Sequence, residues 1–246
     1  MAAYRLLVSL VLVVAMAGLW AGCGDDSAES CDGNKTVYNQ NDLDMLAECD
    51  EITGNLVVPD NLALTSFSLP ALTSVGGDLI ISSNDALTSF DIPVVRTVGG
   101  DLILDSCYAL PSYSLPALTS VGGKLSVAND ALTSFSLHKL TSVGGALIVR
   151  GTNALISFDL PTVTTVGGSL TVGFNTALTS FSLSALRSVV GDLTVDHNDA
   201  LAQCLVDALV QQIQAGEGIG GKVHFNDNNT NCTCSEVGGV LEAICP

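Results

Sequence analysis

The chain is short of positive charge, of aromatic rings and of charge altogether. Only eight of its 246 residues are Lys or Arg, against 25 Asp or Glu, and the formal net charge is −17. No basic patch exists, which disfavours nucleic-acid binding. The same charge repels anionic lipid headgroups, so membrane contact has to come from an anchor. Aromatics make up 5% and charged residues 13%, while apolar residues reach 48% and glycines number 24. That balance excludes a disordered chain and fits a globular or solenoid one. No G-x-S-x-G, P-loop or dinucleotide fingerprint appears in a fitting context. No cofactor or metal site is expected.

The one long apolar run is at the N-terminus. In "MAAYRLLVSLVLVVAMAGLWAGC", Arg5 precedes an apolar stretch ending in small residues. It reads as a secretory signal over residues 1–22 rather than a membrane span. The ending "LWAGC" resembles the bacterial lipobox, which implies lipidation at Cys23; Trp20 departs from the aliphatic residue usual there. Ordinary cleavage after Ala17 is the alternative and would give a secreted protein. Residues 23–30, Cys23 followed by the acidic "GDDSAES", suit a flexible tether. Seven cysteines follow Cys23, and export makes disulfides plausible. An odd number leaves at least one unpaired.

From residue 54 the chain repeats itself. The second Gly of "VGG" and its equivalents falls at Gly54, Gly77, Gly100, Gly123, Gly145, Gly168 and Gly191, spaced by 23 residues except for one step of 22. Period-2 alternation, as in "GDLIIS", predicts short strands. No unit holds ten residues of helical periodicity. Each unit therefore offers three short extended pieces separated by turns. A single unit cannot offset the backbone entropy of about 1–2 kcal/mol per residue, so the units must stack and share a core.

Four columns specify the stack. Phe67, Phe90, Tyr113, Phe135, Phe158 and Phe181 form an aromatic core ladder, with Cys204 in the seventh place. Asn61, Asn84, Asn129, Asn175 and Asn198 turn inward onto backbone amides, with Cys107 and Thr152 in the other two units. Cys107 therefore reads as a buried turn residue, not a nucleophile. Pro70, Pro93, Pro116 and Pro161 start the third segment, His138 and Ser184 replacing them. The Gly-Gly pairs permit a sharp corner.

The unit "GDLIISSNDALTSFDIPVVRTVGG" resembles the receptor L-domain repeat, and more closely the related repeats of fungal cell-wall proteins and bacterial lipoproteins, over about residues 31–204. The resemblance implies an all-β, right-handed parallel β-helix of about seven 23-residue turns (54–204). It also implies a Cys-bracketed N-terminal cap (31–53) with a short helix near Asp42–Cys49. A Cys31–Cys49 disulfide belongs to that cap. Over residues 205–246, Leu205, Ala208, Leu209 and Ile213 predict a helix stopping at Gly216, followed by a strand and a covalent clasp. There Cys204 is expected to pair with Cys232 or Cys234, and Cys245 with the other.

The best acidic cluster is Asp192, Asp196, His197 and Asp199. It supports an alternative reading as a carbohydrate-active β-helix enzyme. Asp192 recurs as Asp78 and Asp101 in other units, which points to a solvated strand edge instead. His138 and His224 stand alone in the sequence. Val57, Ile80, Ile103 and Ile148 occupy the outward position of the first strand and form a candidate contact face; plain strand propensity is the alternative. The Thr rows Thr65, Thr88, Thr133, Thr179 and Thr73, Thr119, Thr141, Thr164 are interrupted, which weighs against ice binding. The resulting expectation is a non-enzymatic protein of a bacterial envelope, anchored to a membrane through its N-terminal lipid and binding a surface protein or glycan. A structural envelope component is the remaining alternative.

Overall fold

The computed structural model describes residues 31–61, 63–237 and 240–244, with side-chain placement left undescribed over 236–243. The signal, the tether, Cys23 and Cys245 lie outside the described residues. The fold is a parallel β-solenoid of about seven turns, as the repeat predicts. Each turn contributes one strand to each of three sheets. The first sheet has nine strands, from Lys35–Thr36 through Leu79–Ser82 to Val223–Asn226. The third has eight, from Glu51–Ile52 to Gly218–Ile219. The second carries the aromatic column in six strands, divided into a pair, Ser66–Ser68 and Ser89–Asp91, and a group of four, Ser112–Ser114, Ser134–Ser136, Ser157–Asp159 and Ser180–Ser182.

Register follows the repeat. Leu79 pairs with Leu56 and Leu102, and Phe135 with Tyr113 and Phe158. Alternation sends Leu79 and Ile81 into the core while Ile80 stays half-buried outside. The core is a continuous column of Leu, Ile, Val and Phe along the whole stack. Its aromatic rings lie 5.4–5.9 Å apart with 5–18° between planes. That exceeds the ~4.8 Å strand spacing because rings prefer to stack with an offset.

The Asn column joins consecutive turns. Asn84 Nδ2 donates to the carbonyl of Val58 at 2.7 Å, and its Oδ1 accepts the amide of Asn61 at 3.0 Å. Asn175 repeats this with Val149 and Thr152. The residue before the column is left-handed in Asp60, Ser83, Ser106, Gly151, Phe174, His197 and Asp227. The 22-residue step is the loss of this one residue before Asn129. The consequence is local: Asn129 Nδ2 donates to the Leu110 carbonyl, at 3.4 Å, and Oδ1 accepts only the nearby Ala131 amide, at 3.2 Å. At the Gly-Gly corner the cause is close approach as much as turning, since a Cβ on Gly99 would fall on the carbonyl oxygen of Gly76.

Both ends continue the solenoid rather than only covering it. At the N-terminus a helix (α1, Gln40–Leu46) takes the place of the second-sheet strand between Lys35–Thr36 and Glu51–Ile52. Asn39 and Asp42 form its capping box, and Leu43 and Leu46 seal the core. At the C-terminus a second helix (α2, Gln203–Gln214) does the same between the last full turn and Gly218–Ile219. It buries Val206, Leu209 and Ile213; Leu205 and Ala208 lie only half-buried, so the covering face is rotated from the expected one. The helix ends at Ala215, and Gly216 is required by its approach to the Arg187 backbone rather than by a left-handed turn. An antiparallel hairpin, Thr233–Val237 with Val240–Ile244, follows. No helix of the described residues is long and apolar enough to cross a membrane.

The cysteines divide as the caps require. Cys31–Cys49 closes the first cap and Cys204–Cys234 ties α2 to the hairpin, with Cα separations of 5.7 and 6.0 Å. Cys232 is also disulfide-bonded. Cys107 is a free, buried thiol.

Candidate functional site

The outer face of the second sheet is concave. A groove of about 950 Å³ crosses its four C-terminal strands, lined by Ser112, Ser114, Ser134, Ser136, Ser157, Asp159, Ser180 and Ser182. The groove therefore runs along the stack, across the strands. Ala200, just before α2, and Leu205, in its first turn, line its end. The Ser-aromatic-Ser alternation explains the lining: the aromatic side chain faces the core and its two neighbours face out.

The hydroxyls of most of these serines are unspent. The threonines of neighbouring rows turn back onto the previous turn: Thr88 Oγ1 donates to the Thr65 carbonyl at 2.9 Å and Thr119 Oγ1 to that of Arg96 at 2.9 Å. Thr133, Thr141, Thr164 and Thr179 do the same. By contrast Ser112, Ser114, Ser134, Ser157, Ser180 and Ser182 make no side-chain hydrogen bond within the described residues. Each presents one donor and two acceptor sites to whatever fills the groove.

One position in the groove is different. His138 does not stand alone. Ser136 Oγ lies 2.7 Å from His138 Nδ1, and His138 Nε2 lies 3.3 Å from Asp159 Oδ2. Ser136 also donates to the Asp159 carbonyl at 3.2 Å. His138 and Asp159 are both departures from the repeat, replacing a proline and a serine, and they meet across adjacent turns. A Ser, a His and a carboxylate in sequence are the parts of a nucleophile and its base. Here, however, the imidazole is 69% and the carboxylate 39% exposed, without the dry surroundings that make such a pair reactive. As it stands the cluster is a polar, hydrogen-bonding step in the groove floor.

The acidic cluster read from the sequence comes apart. Asp192 and Asp196 sit at opposite ends of one strand, about 13 Å apart along the chain, beyond the span of a glycosidase pair. Asp192 Oδ1 accepts the amide of Lys222 at 2.7 Å, as Asp78 accepts that of Asp101 and Asp101 that of Lys124. These aspartates cap backbone amides of the next turn; they are not a merely solvated edge. Asp196 lies 3.3 Å from His197, whose other nitrogen lies 3.3 Å from Asp227. His197 stacks on Phe174 at 4.3 Å, and Arg150 covers the other face of that ring at 4.5 Å. Arg150, Phe174, His197 and Asp227 form one column, in which His197 Nδ1 is buried without a hydrogen-bond partner, its approach to Asp196 being a charge contact alone. Asp199 does not join it.

Val57, Ile80 and Ile103 do lie side by side in register, all half-buried, but Ser126 separates them from Ile148. Burial pushes the Cys107 thiol pKa up, against a smaller opposing pull from its hydrogen bonds with Asn84. Burial also raises the Tyr113 hydroxyl well above its ordinary value, and that hydroxyl has no partner. No family model, curated protein or solved structure matches the chain.

Proposed function

We propose that the chain is a non-enzymatic, surface-anchored binding protein whose contact surface is the groove of the second sheet. The observation that carries this is the row of unspent serine hydroxyls lining a groove that also holds Ser136, His138 and Asp159. Small-molecule and polymer sites are concave and hold a few convergent polar groups; Ser136, His138 and Asp159 are those groups here. The resemblance of the repeats to receptor L-domains, whose solenoids serve as recognition surfaces, supports the same reading. Lipid at Cys23 and the tether after it would hold the solenoid at an envelope membrane.

Two measurements test it. Labelling cells with radioactive palmitate should mark the wild-type protein and leave Cys23→Ala unmarked; equal labelling of both sinks the anchor. Immobilised full chain should retain an envelope component that Ser157→Trp, which fills the groove, fails to retain. Retention indifferent to that substitution places the contact elsewhere. The contiguous Val57, Ile80 and Ile103 stripe supports a second reading, self-association of an envelope component. Light scattering tests it, because a strict monomer that Ile80→Glu leaves unchanged removes it.

A further inference from the structure

Resting on that binding reading, we infer that the groove takes an extended, neutral, polyhydroxylated polymer: a segment of uncharged polysaccharide lying along the solenoid axis. Three observations converge on this class. The first is charge. No Lys or Arg lines the groove, its one carboxylate, Asp159, already faces His138, and the chain carries −17 overall. A polyanion finds no counter-charge there, and a polycation finds no cluster of acids.

The second is the kind of contact on offer. The lining serines present groups that donate and accept equally. Sugar hydroxyls have the same dual character, so each hydroxyl of the groove can meet a hydroxyl of the polymer without leaving a polar group unpaired. A protein partner would need buried apolar or aromatic anchors. Along most of this groove the aromatics are covered, Phe135 and Phe158 being 3% and 2% exposed; Phe181, at its end beside Leu205, is half-buried. Strand addition is also closed to a peptide, because the groove crosses the strands and their backbone groups already pair between turns.

The third is periodicity. The rows recur at the strand spacing of ~4.8 Å, close to the length of one pyranose unit. Four strands span roughly 14 Å from first to last, enough for three or four sugar units in matching contact. Single hydroxyl contacts are weak, so affinity should grow with chain length until the groove is filled. The Ser136, His138 and Asp159 step breaks the translational symmetry and would fix the register of the bound chain.

The test is affinity electrophoresis of the full chain in mild detergent. The gels contain dextran, laminarin or hydroxyethylcellulose as neutral probes, and alginate and polygalacturonate as anionic comparators. At least one neutral probe should retard the protein, and neither anionic one should. Ser157→Trp should weaken the retarding interaction at least about tenfold, while Ser126→Trp, on the first sheet, leaves it unchanged. Thermal melting confirms that the variants fold, and Ser180→Trp replaces Ser157→Trp if the latter melts early. Retardation by no neutral probe, equal retardation by alginate, or retardation that survives the groove substitutions overturns the proposal. If no polysaccharide binds but an envelope protein is still captured in a Ser157-dependent way, the polysaccharide is wrong and the binding reading stands. If neither occurs, both fall.

Discussion

The third turn, from Gly100 to Gly122, is the seam of the solenoid, and restoring the repeat there should close it. Three departures coincide in this turn. Pro111 stands where Thr88 and Thr133 donate their amides to the preceding turn at 2.8 and 2.9 Å, and a proline has no amide to give. The second sheet breaks at this point into a pair and a group of four strands. The Phe90 and Tyr113 rings are 5.9 Å apart, the widest step of the ladder. Cys107 replaces the Asn of the turn, so its thiol stands where an amide would donate, 3.9 Å from the Ile81 carbonyl. Tyr113 adds a hydroxyl without a partner. Pro111→Thr supplies one backbone amide and one hydroxyl, both aimed at the Thr88 carbonyl as Thr133 aims both at Pro111. Each hydrogen bond contributes about 0.5–1.5 kcal/mol. Losing proline costs about 0.4–1 kcal/mol through the greater freedom of the open chain. The net is about 1 kcal/mol in favour of the closed seam, or a roughly fivefold smaller open population. Cys107 is the reporter, since it is buried and its modification requires opening. Its rate of reaction with a thiol reagent at fixed pH, below the denaturation midpoint, should fall about fivefold in Pro111→Thr. Amide exchange around 88–92 and 112–115 should slow with it. An unchanged or faster rate, or Cys107 modification that merely tracks global unfolding in denaturant, refutes the seam.

Other consequences follow from the same columns. Tyr113→Phe should raise stability by about 1 kcal/mol, because it removes a buried hydroxyl that has no partner; a melting point that stays or falls contradicts this. The pH dependence has a definite sign. Folded-state pKa values of Cys107 and Tyr113 are raised by burial. Between the ordinary and the raised values the unfolded state has lost protons that the folded state keeps, so stability falls as pH rises. The loss should begin above about pH 8.5 for the thiol and about pH 10 for the phenol, and denaturant titrations of Tyr113→Phe should lack the second phase. Asn175→Ala should cost about 2–4 kcal/mol, since it strands the buried Thr152 amide and Val149 carbonyl together; a cost below 1 kcal/mol would show that water replaces the ladder. Cys204→Ser with Cys234→Ser opens a loop of 30 residues, worth about 3–4 kcal/mol by chain entropy, and should make the C-terminal hairpin protease-sensitive before the solenoid unfolds.

The period of 23 made the sheets, the aromatic ladder, the Asn ladder and the pairing partners legible, because translation along a solenoid turns sequence spacing directly into contact. Leu79 meets Leu102 for the same reason that it resembles it. Features that break the period were harder to read. The last partial turn carries "IGGKVHFNDNN", a copy of "VVGDLTVDHND", yet Gly221 follows Gly191 by 30 residues because α2 occupies more chain than the strand it replaces. Asp227 therefore entered the His197 column unannounced. The use of each hydroxyl was also hidden. Thr and Ser alternate with apolar residues in the same way, and only geometry separates the Thr hydroxyls bonded to backbone from the Ser hydroxyls left open.

That separation has a physical origin. A β-branched threonine has few χ1 choices on a strand edge, and in this fold the favoured one sets its hydroxyl over the preceding carbonyl while its methyl shields the bond. Serine lacks the methyl and the restriction, so in the second-sheet strands its hydroxyl stays available to solvent or ligand. A solenoid wanting only stability should then prefer threonine in both kinds of row. The first position of each second-sheet strand is serine in all six turns, Ser66, Ser89, Ser112, Ser134, Ser157 and Ser180, although threonine is the better strand former. Replacing Ser134, Ser157 and Ser180 with threonine together separates the two explanations. If the serines serve only the fold, the melting temperature should rise and nothing else should change. If they serve the groove, the same rise should come with weaker retention of the ligand, because three methyl groups would crowd the surface where hydroxyls must be reached.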